Sequence, residues 1–178
     1  HASTLEDERG FLVPVERDRN QIYLDFALVG IVRELPVVTG LQAYYVKSLE
    51  AGAKLASRLG EDELAAKWRD KAKALRERIN GTFWDSARGL YCNGEGADGQ
   101  ISEEVGAATN YLMLWARIPS GPRESEILQH LFSGPEVENL ESWVNGEGVY
   151  LKHFASEALL ERGLCREALC SWRGFYGS

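Results

Sequence analysis

The stretch from Thr39 to Asn80 constrains the fold more than any other part of the chain. Leu41, Tyr44, Tyr45, Ser48, Leu49, Gly52, Ala53, Ala56 and Leu59 recur at three- and four-residue steps, the spacing of one face of a helix. Thr39 followed by Gln42 has the form of a capping box, and Gly60 is placed to end the helix. Glu61, Asp62 and Glu63 then put negative charge where the next helix dipole favours it. Leu64, Trp68, Ala72, Leu75 and Ile79 form a second stripe, with Lys67, Arg69, Asp70, Lys73, Arg76 and Glu77 on the wet side and Asn80-Gly81 as the stop. Two helices joined by so short a link are expected to lie antiparallel and in contact.

The rest of the chain repeats that plan with shorter pieces. Residues 1–35 read as an extended lead-in. His1 to Gly10 is polar and acidic, a loop or frayed end, and Phe11 to Val15 is apolar but interrupted by Pro14, an extended segment or edge strand. Residues 36–178 read as the helical body. Phe83-Trp84-Asp85 and Arg88-Gly89-Leu90-Tyr91 bracket a turn and predict a small two-stranded excursion, followed by a glycine-containing loop from Asn93 to Gln100. Ser102 is expected to cap a third helix whose buried stripe is Val105, Ala108, Thr109, Leu112, Trp115 and Ala116. After the break at Pro119 to Pro122, Ile127, Leu128, Leu131 and Phe132 mark a fourth helix, which Ser133-Gly134-Pro135 ends. Beyond the polar loop Glu136 to Gly148, a fifth helix carries Tyr150, Leu151, Phe154, Ala155, Ala158 and Leu159 and closes at Gly163. Cys165, Ala168, Leu169, Trp172, Phe175 and Tyr176 mark a sixth. Short links alternate with long ones, as in a toroid of helical hairpins whose loops gather at one end.

Composition narrows the function. With 178 residues, 44% hydrophobic and 26% charged, the chain is long enough for one ordinary core. A net charge of −7 argues against a nucleic-acid backbone as partner, and no apolar run is long enough to span a membrane. Cys92, Cys165 and Cys170 are odd in number and lack metal-ligand spacing, so reduced thiols in a cytoplasmic protein are expected, with no metal and no cofactor. No basic-then-apolar leader opens the sequence. The chain begins with His1 and stops at Ser178 just after an apolar helix, so we expect a piece of a longer polypeptide whose remainder is its first partner.

Four stretches carry a family resemblance. The hairpin followed by Phe83-Trp84-Asp85 and Gly89-Leu90-Tyr91 resembles the six-hairpin, or (α/α)6-barrel, glycosidases. Tyr23-Leu24-Asp25-Phe26 is similar to the aromatic-x-Asp-Trp segment of bacterial α-L-rhamnosidases, with Phe26 in the place of that family's tryptophan. Gly148-Val-Tyr-Leu-Lys-His-Phe154, with Glu157 to Leu159 and Gly163, resembles a rhamnosidase helix, and Ser171 to Gly177 resembles the stretch before the family's Thr-x-Trp-Glu motif. The resemblance runs from about Tyr23 to the end. It implies an all-α fold, a partial (α/α)6 toroid of about three hairpins, and inverting hydrolysis of terminal α-L-rhamnosides. In that chemistry one carboxylic acid protonates the leaving oxygen while a second activates water roughly 6.5–9.5 Å away. The family's Arg-Asp-Glu and Trp-Glu motifs have no counterpart here, so no catalytic residue is assigned and the fragment alone is expected to be inactive.

Five residues are candidates for contacting sugar. Asp25, flanked by bulky apolar residues, is either a satisfied structural acid or an acceptor for sugar hydroxyls, and Phe26 stands beside it. Trp143 is either a ring that stacks on a sugar or an anchor for its loop. Glu147, between Gly146 and Gly148, is placed to reach a ligand, and His153 either points into the barrel or is a satisfied helix histidine. Two other readings compete: a different six-hairpin glycosidase, trehalase-like or an unsaturated-uronyl hydrolase, and a non-catalytic helical-hairpin scaffold. The scaffold should show a repeat of fixed length, which these hairpins lack.

Overall fold

A computed structural model describes residues 5–13, 35–132 and 149–176 of the chain. Six helices lie among the described residues: α1 (Thr39–Arg58), α2 (Asp62–Thr82), α3 (Ala107–Trp115), α4 (Arg123–Phe132), α5 (Val149–Leu160) and α6 (Cys165–Tyr176). Each odd-numbered helix packs on the helix that follows it, and α3 lies between α1 and α5. The result is a layer of α1, α3 and α5, with α2, α4 and α6 attached in three consecutive hairpins.

The α1–α2 hairpin forms as its stripes predict. Leu49, Ala53, Ala56, Ala72, Leu75 and Ile79 are buried, and Gly60 turns the chain with φ +79°, a conformation glycine adopts without strain. Gly52 has no Cβ, which lets the Trp68 ring lie close to the α1 backbone. The tip departs from expectation: Leu59 is 71% exposed and Leu64 is 38% exposed, because no described element reaches that end. The helix ends differ too. The expected Thr39–Gln42 box is not made, since Val38 occupies the cap position and the Thr39 N–H donates to the Asn93 carbonyl. Gln42 instead accepts from the Leu12 N–H at 2.8 Å and donates back to the Leu12 carbonyl at 2.9 Å. Asn80-Gly81 does not stop α2, which continues to Thr82, and the Asn80 amide donates to the Ile118 carbonyl.

Among the described residues, four two-residue strands brace the hairpins. β2 (Trp84–Asp85) pairs antiparallel with β3 (Leu90–Tyr91), the excursion expected from the aromatic pairs. β1 (Val37–Val38) pairs antiparallel with β4 (Gly94–Glu95), at the entry to α1. The segment expected to begin the third helix at Ser102 is instead extended: Ile101 bridges to Glu95 and Val105 to Cys92. Pairing with the 92–95 segment competes with helix there, so α3 begins only at Ala107, after Gly106, and Ser102 accepts a local bond from the Glu104 N–H. Every residue of α3 from Ala107 to Leu114 is buried, because α3 is covered on several sides rather than along one stripe.

Residues 5–13 are not a frayed end. Phe11 is fully buried with its ring 5.2 Å from that of Phe83. Glu6 bonds to Tyr45 and to Lys71, and Arg9 forms a two-pronged pair with Glu95 at 2.7 and 2.9 Å. The apolar ring and these ties fasten the segment across α1, α2 and β4.

Candidate functional site

The helices that pack side by side, α1, α3 and α5, run in the same direction and begin at the same end. Asn93 fixes this register. Its carbonyl accepts the first N–H of α1, its side-chain oxygen accepts from the Thr109 hydroxyl of α3 at 2.8 Å, and its own N–H donates to the Glu104 carbonyl. Asn110 pins α3 to β3 by exchanging amide bonds with the Tyr91 backbone at 2.9 and 3.1 Å. Lys152, in the first turn of α5, is buried with its ammonium 5.7 Å from the Tyr111 ring of α3.

Across these helices runs a row of aromatic rings. Tyr44 of α1 lies 5.5 Å from Trp115 of α3 and 5.5 Å from Phe154 of α5. Trp115 and Phe154 meet edge to face at 4.7 Å, and Tyr150 extends the row 5.0 Å from Phe154. Rings at these separations hold one another in tilted and T-shaped arrangements. The row is only partly covered: Tyr150 is 51% exposed, and Tyr44 and Trp115 are half-buried. Polar groups sit on it. The Lys47 ammonium lies 4.8 Å over the Trp115 ring, and the Trp115 indole N–H donates to the Glu157 carboxylate at 2.6 Å. His153 is exposed, with its ring 5.3 Å from Phe154 and Nε2 3.8 Å from Glu157. Apolar faces edged by a cation, a carboxylate and an imidazole can hold a molecule with both C–H faces and hydroxyl groups.

Of the five sequence candidates, His153 is therefore on this row; Asp25, Phe26, Trp143 and Glu147 lie outside the described residues. Tyr44, Trp115 and Glu157 were not singled out from the sequence. Tyr44 and Trp115 fall on apolar stripes and read there as core, and the meeting of three helices leaves both only half-buried. Other acids at this end are engaged or apart. Glu95 is buried against Arg9, whose guanidinium it holds above its ordinary range chiefly through their hydrogen bonds. Glu103 and Glu104 are exposed on the segment before α3. Burial pushes the Cys92 thiol up, so it is not a ready nucleophile, and Cys92, Cys165 and Cys170 are all free. No described helix is long and apolar enough to cross a membrane.

Comparison with known proteins gives this geometry a family. No curated protein matches the chain by sequence. Among solved structures, a GH78 family rhamnosidase from Bacillus sp. GL1 superposes with a TM-score of 0.81 at 26% identity, over 99% of this chain and 18% of that one. A rhamnosidase from Klebsiella oxytoca with rhamnose bound superposes with a TM-score of 0.67 at 25% identity, over 98% of this chain and 30% of that one. The chain thus spans less than a third of the length of either structure. Its mostly helical fold is that of a rhamnosidase-like glycoside hydrolase domain. Residues 36–139, more than half of the chain, match the description "Mannosylglycerate hydrolase MGH1-like glycoside hydrolase domain", and the chain belongs to that family.

Proposed function

We propose that the chain is part of the catalytic domain of a glycoside hydrolase that removes terminal α-L-rhamnose with inversion. The observation that carries this reading is the superposition on two rhamnosidases over nearly the whole chain, the second with rhamnose bound. In this reading the three hairpins are half of a six-hairpin barrel, and the remaining polypeptide supplies the other half. The aromatic row on α1, α3 and α5 lines one side of the sugar pocket. Tyr44, Trp115 and Tyr150 offer ring faces to the apolar side of a sugar, while Glu157, His153 and Lys47 meet its hydroxyl groups. Asp25, Phe26, Trp143 and Glu147 complete that side. The general acid and general base, a pair of carboxylates roughly 6.5–9.5 Å apart in inverting enzymes, come from outside the chain.

The test uses an aryl α-L-rhamnoside and the longer polypeptide that contains these residues. It should release rhamnose with inverted anomeric configuration by NMR, and residues 1–178 alone should release none. Turnover by the 178-residue chain that disappears when one of its own acids is changed would place the chemistry within it and refute the reading. The family match favours a second possibility, the same inverting chemistry on a different glycone. Cleavage of an aryl α-mannoside in preference to the rhamnoside would select it.

A further inference from the structure

The α1–α2 hairpin is much longer than its neighbours, and the mismatch creates a groove. α1 has 20 residues and α3 has nine, yet Asn93 ties their first turns together. At about 1.5 Å per residue, α1 runs on roughly 16 Å past the end of α3. Beneath this overhang is a cavity of about 660 Å³, within the range of small-ligand sites. The C-terminal half of α1, the adjacent part of α2, the turn after α3 and the end of α5 line it as an open cleft.

The groove is basic, although the chain carries a net charge of −7. Lys47, Lys54, Arg58, Arg69 and Arg117 line it. Its two acids are already engaged: Glu50 pairs with Arg76 at 2.5 Å and Glu161 with Arg117 at 3.1 Å. Lys47 lies over the Trp115 ring. Lys54, Arg58 and Arg69 form no ion pair among the described residues. Helix dipoles do not account for the set. Arg58 is in the last turn of α1, where a cation is favoured, but Arg69 is two turns into α2, beyond the reach of the dipole at either end.

Arg117 adds an independent sign. It has φ +53°, the only non-glycine residue described with a positive φ. The Arg117 N–H bonds the Leu114 carbonyl and the Ile118 N–H bonds the Met113 carbonyl, the closing pattern of a helix whose next residue is ordinarily glycine. A side chain held in the left-handed region is strained, and the strained residue here presents a guanidinium to a basic groove.

We propose that this groove binds a carboxylate-bearing oligosaccharide, one containing uronic acid residues. Guanidinium groups hold carboxylates through paired hydrogen bonds, and ring hydroxyls find further partners in Lys54 and Ser57 on the same wall. The proposal uses the carbohydrate class of the family and does not depend on rhamnose being the sugar cleaved. It therefore stands or falls separately from the hydrolysis test.

Calorimetric titration of the 178-residue chain at low salt, with trigalacturonate, maltotriose and inorganic phosphate as probes, decides it. Trigalacturonate should bind and weaken steeply with added salt, while maltotriose and phosphate at equal concentration should not compete. Arg58→Ala with Arg69→Ala should weaken trigalacturonate about tenfold or more, given the strength of charged hydrogen bonds. The melting temperature should hold, since both side chains are exposed and form no ion pair among the described residues. Lys67→Ala, exposed on α2 outside the groove, should change nothing. Arg117→Gly should weaken binding while raising the melting temperature, a split that a purely structural arginine would not give. Equal binding of maltotriose, displacement by equimolar phosphate, or unchanged affinity in the Arg58/Arg69 variant would each overturn the assignment.

Discussion

Phe11→Ala is the sharpest test of how residues 5–13 hold the hairpins together. The ring is fully buried and packs at 5.2 Å on Phe83, which follows the last residue of α2. Truncating a buried phenylalanine removes its transfer free energy and leaves a cavity, costing about 3–5 kcal/mol. Net stability of a domain is about 5–15 kcal/mol, so the change should be large on that scale. Urea denaturation followed by circular dichroism should show a lowered midpoint with the slope retained, because the segment unfolds with the rest. Its polar ties support that coupling: Glu6 reaches both Tyr45 of α1 and Lys71 of α2, and Arg9 reaches Glu95 of β4. Leu59→Ala is the control. At 71% exposure it should lie within about 0.5 kcal/mol of the parent. A Phe11→Ala loss below about 1 kcal/mol would mean that the segment is an appendage and that the core closes without it.

Two glycines should respond in opposite directions. A Cβ at Gly94 would lie 2.1 Å from the Val37 carbonyl oxygen, so Gly94→Ala must break the β1–β4 pair and lower the melting temperature, whereas Gly81, in α2 with open space around it, should gain about 0.5–1 kcal/mol on change to Ala. Tyr91 sets an alkaline limit: burial, only partly offset by Arg123, pushes its pKa up to about 12 from an ordinary 10. The stability this represents is complete below pH 10 and is lost between pH 10 and 12, and Tyr91→Phe should flatten that part of a melting-temperature profile. Glu6 sets an acid one: burial raises its carboxyl, but hydrogen bonds from Lys71 and Tyr45 outweigh this and leave its pKa below 4.5. Its contribution is present above pH 4.5 and fades as the pH falls through the lowered value, so Glu6→Gln should lose stability at neutral pH and show a shallower acid limb.

The parts of the fold legible in the sequence are those set by local periodicity. The α1 and α2 stripes, the Gly60 turn and the Trp84–Tyr91 excursion repeat or pair over short distances, and a one-dimensional pattern carries them. The parts that were not legible depend on distant partners. Ser102 looks like a cap, but strand pairing with residues 92–95 decides its conformation. Gln42 looks like a capping-box residue, but Leu12, thirty residues away, takes its side chain. Phe11 lies next to a polar run that reads as a loop or frayed end, and its burial follows only once β4 and α2 are in place. The same holds for the candidate site. His153 stood out as a histidine, whereas Tyr44 and Trp115 look like any core aromatic until three helices meet.

The pattern of exposed apolar side chains supports the proposed half-barrel on grounds that do not involve the sugar. On α1, Leu55 is 60% exposed, but it lies on the helical line of Tyr44, whose ring meets α3 and α5, so its exposure follows from the shortness of α3. On α6, by contrast, Leu169 is 56% exposed and Trp172 49% exposed, although the Trp172 indole N–H still bonds Ser156 of α5. The uncovered pair therefore lies on the last hairpin of the series, while α3, inside it, is buried almost all round. A series of hairpins that each cover the next leaves uncovered apolar flanks only at its first and last members. Burial of a large apolar side chain is worth roughly 1.5–3 kcal/mol, so a neighbour that covers the half-exposed Leu169 and Trp172 recovers about that much for the two together. In the proposed barrel this gain favours closure, and it makes the three-hairpin chain less stable alone than within its parent.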